Sequence, residues 1–303
     1  MKRLFQFFRG PNKQVDDSME FGVESLESRR LLTGNVVVRD LAGALIIRGD
    51  QLDNAFVVAE VVGNRYTVTP SLGTTINGSA STFTTRVYEN EPRFVINTGA
   101  GNDGIGLQNL SDLRSLSVVT GDGRDVIGGN AIETRGRMSF NMGRGDDVLS
   151  LTAAESKGSF SVNVGDGDDM LALIGVDGTV GRIVTGNGDD LLAMSDADFN
   201  RSSLMMGSGD DGATIDTIQS QTESVASINL GSGNDQIRVS SFEAQTLLVN
   251  AGTGDDSVSV TSPTQIAGRS VFAGGAGIDD LDLSGTSFGI APRVVMFESV
   301  VGI

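Results

Sequence analysis

Nine aspartates recur between residues 103 and 279, each at the fifth position of a Gly-x-Gly-x-Asp segment, and a row of such carboxylates could hold hard cations. They are Asp103, Asp125, Asp147, Asp169, Asp190, Asp211, Asp235, Asp256 and Asp279, and the first glycines of their segments lie 21 to 24 residues apart. Stacked in register, neighbouring carboxylates sit about 5 Å apart, which costs each pair about 0.8 kcal/mol in bulk water and about 3 kcal/mol at an effective dielectric of 20. A cation shared between adjacent turns removes that repulsion. Ca2+ suits carboxylates plus turn carbonyls, since it takes about 6 to 8 oxygens in flexible geometry, whereas Mg2+ wants a stricter octahedron and keeps its waters. The turn glycines, among them Gly121, Gly123, Gly143, Gly145, Gly165, Gly167, Gly186 and Gly188, are the expected companions of the aspartates in such sites.

A plainer reading needs no metal. Asp in a turn can accept a backbone N–H and so form a ladder with solvated outer oxygens. The preceding position supplies a contrast: it is Asn102, Arg124, Asp146, Asp168, Asp189, Asp210, Asn234, Asp255 and Ile278, so it varies freely while the fifth is always Asp. That contrast favours a requirement for charge, and with it calcium.

The elements that position these residues follow from two apolar columns. Three residues before each first glycine stand Ile96, Val118, Phe140, Val162, Ile183, Leu204, Ile228, Val249 and Phe272; two after each aspartate stand Ile105, Ile127, Leu149, Leu171, Leu192, Ala213, Ile237, Val258 and Leu281. Both columns face a core. The period-two pattern around them, as in Phe160, Val162 and Val164, predicts short strands, and no helix-length apolar stripe is present. One strand enters each turn, a second leaves it, and the remainder returns to the next rung. The expected fold is all-β, a parallel β-solenoid of about nine rungs, right-handed by the general crossover preference, and about 40 Å long. Glycine at the first and third turn positions of all nine copies predicts positive φ or a close approach by the adjacent rung.

Composition limits the function. The formal charge of −17 and a pI near 4.3 argue against nucleic acid and anionic membranes as partners and make cations the natural counter-species. Cysteine, histidine and tryptophan are absent, so there is no disulfide framework, thiolate site or imidazole. No apolar run approaches the ~18 residues of a membrane span.

The chain divides into four expected parts. Residues 1–34 form a disordered segment, basic in MKRLFQFFRG and again at Arg29 and Arg30, whose LFQFF is too short for an ordinary signal-peptide core. Residues 35–93 form an N-terminal β cap that protects an open sheet edge, with Gly49 to Val58 a degenerate tenth copy carrying Asp53 in the aspartate position. Residues 94–283 form the solenoid, and 284–303 close it.

Two resemblances add to this reading. The turn resembles the hemolysin-type (RTX) calcium-binding repeat, GGxGxDxUx, which implies a roll whose adjacent turns share Ca2+ and a secreted protein in millimolar calcium. GGAGIDDLD from Gly274 carries the whole pattern; in the other copies the leading glycine is replaced, as by Met142, Val164 or Leu230, and the longer period implies at most one row of ions. The segment LESRRLL, Leu26 to Leu32, resembles the LEPR-XLL element near the N-terminus of many planctomycete proteins, with Ser28 in place of its proline, and implies export.

The function expected from the residues is therefore an extracellular or cell-surface, calcium-binding β-solenoid with a structural or surface-interaction role and no catalysis. Its partners are calcium ions and a cell-surface polymer or protein. The alternatives are a calcium-independent adhesin or ligand-binding rod and a polysaccharide-active β-helix enzyme. Against the enzyme stand the missing histidine, the two tyrosines as the only supplement to phenylalanine for sugar platforms, and a period that never exceeds 24 residues and so leaves no insertion to wall a cleft. The Arg-Gly-Asp triplets at Arg48 and Arg144 read as by-products of turn composition.

Overall fold

The computed structural model describes residues 34–218 and 224–302. The expected targeting segment, apart from Gly34, lies outside them. The described chain is all-β and coils into a parallel solenoid of about nine turns, as the two apolar columns require. In the first full rung Arg93–Ala100 enters the turn and Gly104–Leu113 leaves it; in the next, Ser115–Asp122 and Val126–Thr134 do the same. These pair strictly in parallel, with Ile96 beside Val118 and Ile105 beside Ile127. Further along, departing strand, return and next approach merge into long bent strands, Val148–Asp166, Met170–Asn187 and Leu191–Ser208.

Every member of both predicted columns is buried, none more than 5% exposed. Each such aliphatic side chain contributes about 1.5–3 kcal/mol by leaving water, and because the register is preserved from rung to rung, like packs on like along the axis. Aromatic residues fill the wider levels: Phe140 and Phe160 lie 6.4 Å apart and Phe160 and Phe199 5.9 Å apart. Phe199 occupies the room beside Gly181, where a Cβ would come within 2.8 Å of its ring.

The first and third turn glycines of all nine copies have φ between 102° and 148°, a region that L side chains rarely adopt. The close approach expected from the sequence is present as well. At Gly165 a Cβ would collide with the carbonyl oxygen of Gly143, the same position one rung earlier.

Both ends depart from the regular rung. At the N-terminal end, Ala44–Arg48 and Ala55–Glu60 pair in parallel with the first full rung, so residues 49–54 are indeed a degenerate turn. Ala55 lies beside Gly104, however, which puts Asn54 rather than Asp53 in the aspartate position; Arg48 lies beside Asn97, so Gly49 matches Thr98, the residue before the first turn glycine, and a count from Gly49 falls one residue short. Antiparallel pairing of Asn35–Leu41 with Ala44–Arg48, and of Tyr66–Pro70 with its neighbours, closes this end. At the other end lie three short strands, Thr286–Phe288, Arg293–Val295 and Ser299–Val301. They pair in parallel as one more, shortened rung at the end of the stack, and Val301 is 56% exposed.

Candidate functional site

All nine repeat aspartates are brought into one column, one per rung, and all are buried, none more than 2% exposed. The positive-φ glycines bend the chain so that the fifth residue turns its carboxylate back under the turn. There Oδ1 accepts the backbone N–H of the aspartate one rung earlier. Asp103 donates to Asp125 at 2.8 Å, Asp125 to Asp147 at 2.7 Å, Asp147 to Asp169 at 2.7 Å, and Asp169 to Asp190 at 2.9 Å. The series continues through Asp211, Asp235, Asp256 and Asp279. It begins with the Asn54 N–H on Asp103, 2.7 Å, and ends with the Asp279 N–H on Glu298 Oε2, 2.7 Å. Asn54 and Glu298 are thus the two ends of the ladder, and sequence reasoning missed both. Asn54 has no earlier rung whose N–H it must accept, and the longer Glu298 side chain spans a shortened turn.

The fourth position forms a second ladder of opposite polarity. Here the side chain of one rung accepts the N–H of the next, as from Asp189 to Asp168 at 2.9 Å, Asp210 to Asp189 at 2.8 Å and Ile278 to Asp255 at 2.8 Å. This position is exposed throughout, so water can replace the acceptor where Arg124 stands. Exposure accounts for its freedom; the fifth position is confined because its partner N–H is buried, and a buried donor without an acceptor costs about 1–3 kcal/mol.

The other carboxylate oxygen has a different fate. Oδ2 of all nine aspartates is buried and has no hydrogen-bond partner among the described residues. Burial is accordingly the largest cause of raised pKa values along the column, opposed by the N–H that each carboxylate accepts. Asp147, Asp169 and Asp211 are pushed up to about 7, with neighbouring carboxylates adding to the rise. Asp103 and Asp256 reach about 6, and Asp125, Asp190 and Asp235 are raised as well.

What lies beside Oδ2 is set by the residue before the first glycine. A Cβ on Gly274 would stand 2.5 Å from Asp279 Oδ2, so this residue looks onto the carboxylate of its own turn. In the other copies it is Thr98, Thr120, Met142, Val164, Thr185, Met206, Leu230 and Ala251, every one fully buried. At Asp103, Asp125 and Asp190 a threonine hydroxyl stands beside the carboxylate, but its one proton goes to a carbonyl of the next rung, as that of Thr185 does to Met206 at 2.7 Å, so it offers Oδ2 an oxygen rather than a hydrogen bond. The five apolar side chains bring no oxygen.

A partnerless buried oxygen is chemistry that a proton or a cation would satisfy. At the turns of Met142, Val164, Met206, Leu230 and Ala251 the neighbouring side chain supplies none of the further oxygens that a shared Ca2+ needs, and there the donor set suits a proton better. The threonine turns and the Gly274 turn, where the Met296 carbonyl oxygen also lies against the glycine, are richer in oxygen. Among the described residues no three acidic side chains converge on a point where a metal could sit.

Asp169 tests the ladder. Asp169→Ala strips the acceptor from the buried Asp147 N–H and is expected to destabilise the rod by about 1–3 kcal/mol in chemical denaturation. Asp169→Asn keeps an acceptor at Oδ1 and, at pH 8, is expected to cost less than Ala; equal losses would show that the N–H contact carries no stability.

Comparison of the chain with known protein families, curated proteins and solved structures finds no match.

Proposed function

We propose that this chain is a non-catalytic structural rod that presents its outward faces to a partner and holds its turn edge together by the aspartate ladder, without needing calcium. The observation that supports this most is the buried Oδ1 to N–H series running unbroken from Asn54 to Glu298. The chain's lack of histidine and cysteine, together with turns too short to wall a cleft, supports a role without catalysis.

A second reading has its own support. The oxygen-bearing surroundings of Asp103, Asp125, Asp190 and Asp279 favour a calcium-stabilised rod, exported to where free calcium is millimolar, with ions held at those turns and not at the five apolar ones. When bound, calcium would supply charge neutralisation; the threonine hydroxyls and the Met296 carbonyl would supply the extra oxygens.

One thermal melt separates the two. After chelation, at pH 8 and fixed ionic strength, addition of Ca2+ is expected to shift the melting temperature no more than the same concentration of Mg2+ does. A saturable rise specific to Ca2+ would overturn the first reading in favour of the second.

A further inference from the structure

The strand that leaves each turn alternates inward and outward, and its outward residues form a face unlike the rest of this acidic chain. Over the six rungs from Gly104 to Thr214, the first outward column reads Gly104, Val126, Val148, Met170, Leu191, Gly212, and the second reads Gly106, Gly128, Ser150, Ala172, Ala193, Thr214. Not one is charged. Within the first column Val126 is 52% exposed, Met170 52% and Leu191 55%, a ridge of large apolar side chains without cover, and Ile174 adds a fourth at 45% on the same strand as Met170. Beside the ridge lies a shallow hollow floored by Ala172, Ala193, Gly212 and Thr214, with Arg238, one rung beyond Thr214 in the same column, at its far end. With about 4.8 Å per rung and about 3.3 Å per residue, the face measures about 24 by 13 Å, or about 300 Å², the size at which an exposed apolar patch is often functional.

Charge returns sharply at both margins. On the turn side stand the exposed Asp168, Asp189 and Asp210, one per rung, with no ion-pair partner among the described residues; Asp146 before them is paired with Arg124 at 3.8 Å. Beyond the opposite corner Glu133, Glu155, Asp177 and Asp198 stack in register. Lys157 pairs with Glu133 at 2.7 Å and, with Arg201, lines the same hollow as Glu155, Asp177 and Asp198, which form no ion pair among the described residues and keep this margin acidic on balance. The two acidic margins bracket the rungs that carry Met170 and Leu191.

We infer that this face docks a polypeptide that presents an apolar strip bordered on both sides by lysine or arginine. Charge complementarity selects that occupant. A second copy laid face to face, whether parallel or antiparallel, would set acidic margin against acidic margin on both sides. An uncharged partner would leave the six margin carboxylates partly desolvated and unpaired, which costs more than the apolar contact returns. The absence of aromatic residues from the face leaves no platform for sugar rings. This inference deepens the reading of the rod as an interaction scaffold and rests on it.

The test uses the full chain and a 16-residue amphipathic leucine/lysine peptide as probe, with poly-lysine of equal charge as control, followed by calorimetry. The expected result is peptide binding at least tenfold tighter than poly-lysine, weakened by 0.5 M salt. It should fall at least tenfold in the double variant Met170→Ser with Leu191→Ser, which leaves net charge unchanged and puts into this column the residue that Ser257 already supplies three rungs after Leu191. Equal binding by poly-lysine, or undiminished binding by the variant, would overturn the inference. So would self-association of the unmodified chain that strengthens with salt, because a second copy would then be the occupant. The melting temperature of the variant, unchanged from that of the parent, separates loss of the face from loss of the rod, and none of these outcomes depends on the calcium melt.

Discussion

In the presence of chelator, raising the pH from 4.5 to 8 is expected to lower the melting temperature of the solenoid, with the fall concentrated between about pH 4 and pH 7. In the unfolded chain the column aspartates titrate near 3.8; in the rod, burial pushes Asp147, Asp169 and Asp211 to about 7 and Asp103 and Asp256 to about 6. Between those values the folded chain binds more protons than the unfolded one, so stability declines as pH rises, and the penalty is complete above the folded values. This is the reverse of a salt-bridged carboxylate, which loses stability on acidification. Even if solvent screening and relaxation leave only about 3 kcal/mol of the summed effect, the shift is about 5 °C for a chain of this length. Asp169→Asn, which cannot titrate, should show a shallower fall than the parent. A melting temperature that holds steady or rises across the window would mean that the column is ionised in the rod at no cost, and would overturn the assignment of a proton to Oδ2.

Gly165→Val is expected to break the rod at that rung. Gly165 has φ of 115°, and any Cβ there is driven into the Gly143 carbonyl oxygen, a backbone atom that cannot move without dragging the preceding turn with it. Left-handed φ alone costs a β-branched residue about 1–3 kcal/mol, and the collision adds to it. Because each rung is stabilised by its neighbours, the loss should propagate: hydrogen exchange should show protection lost over the rungs flanking residue 165 while the distant rungs of Phe94 and Phe272 stay protected. Gly128→Val is the control. Gly128 faces outward, and a Cβ there meets nothing within 4 Å, so the same chemical change should be tolerated. If the two variants melted alike, the close approach at the turn would be without energetic consequence.

Much of this architecture was legible from residue types and spacing. The two apolar columns, the turn glycines and the period specify a parallel stack because a motif repeated nine times must be satisfied by one geometry, and a lapse such as Ala213 is averaged out by its neighbours. Legibility failed where repetition ended. Residues 49–54 carry neither turn glycine, Asp50 and Leu52 standing in their places, so a count from Gly49 points to Asp53 where Asn54 fills the aspartate position; after Leu283 the Gly-x-Gly-x-Asp motif is gone, and nothing in one dimension marks Glu298 as the last acceptor of the ladder. The charge-free outward face could be counted only once the register was known, since alternation within one strand does not reveal which residues align across six rungs.

The sequence by itself determined that the aspartates form a column, because a period of 21 to 24 residues with an invariant fifth position leaves no other stacking. Whether their carboxylates reach outward to water or metal, or inward to the preceding rung, was decided only by the tertiary structure. That choice depends on the φ of two glycines and on the depth to which the residue before them fills the turn. Thr, Met, Val, Leu or Ala at that position looks, in one dimension, like a mere departure from glycine. In three dimensions it is the neighbour of a buried oxygen, and it sets whether that oxygen meets a hydroxyl or a hydrocarbon.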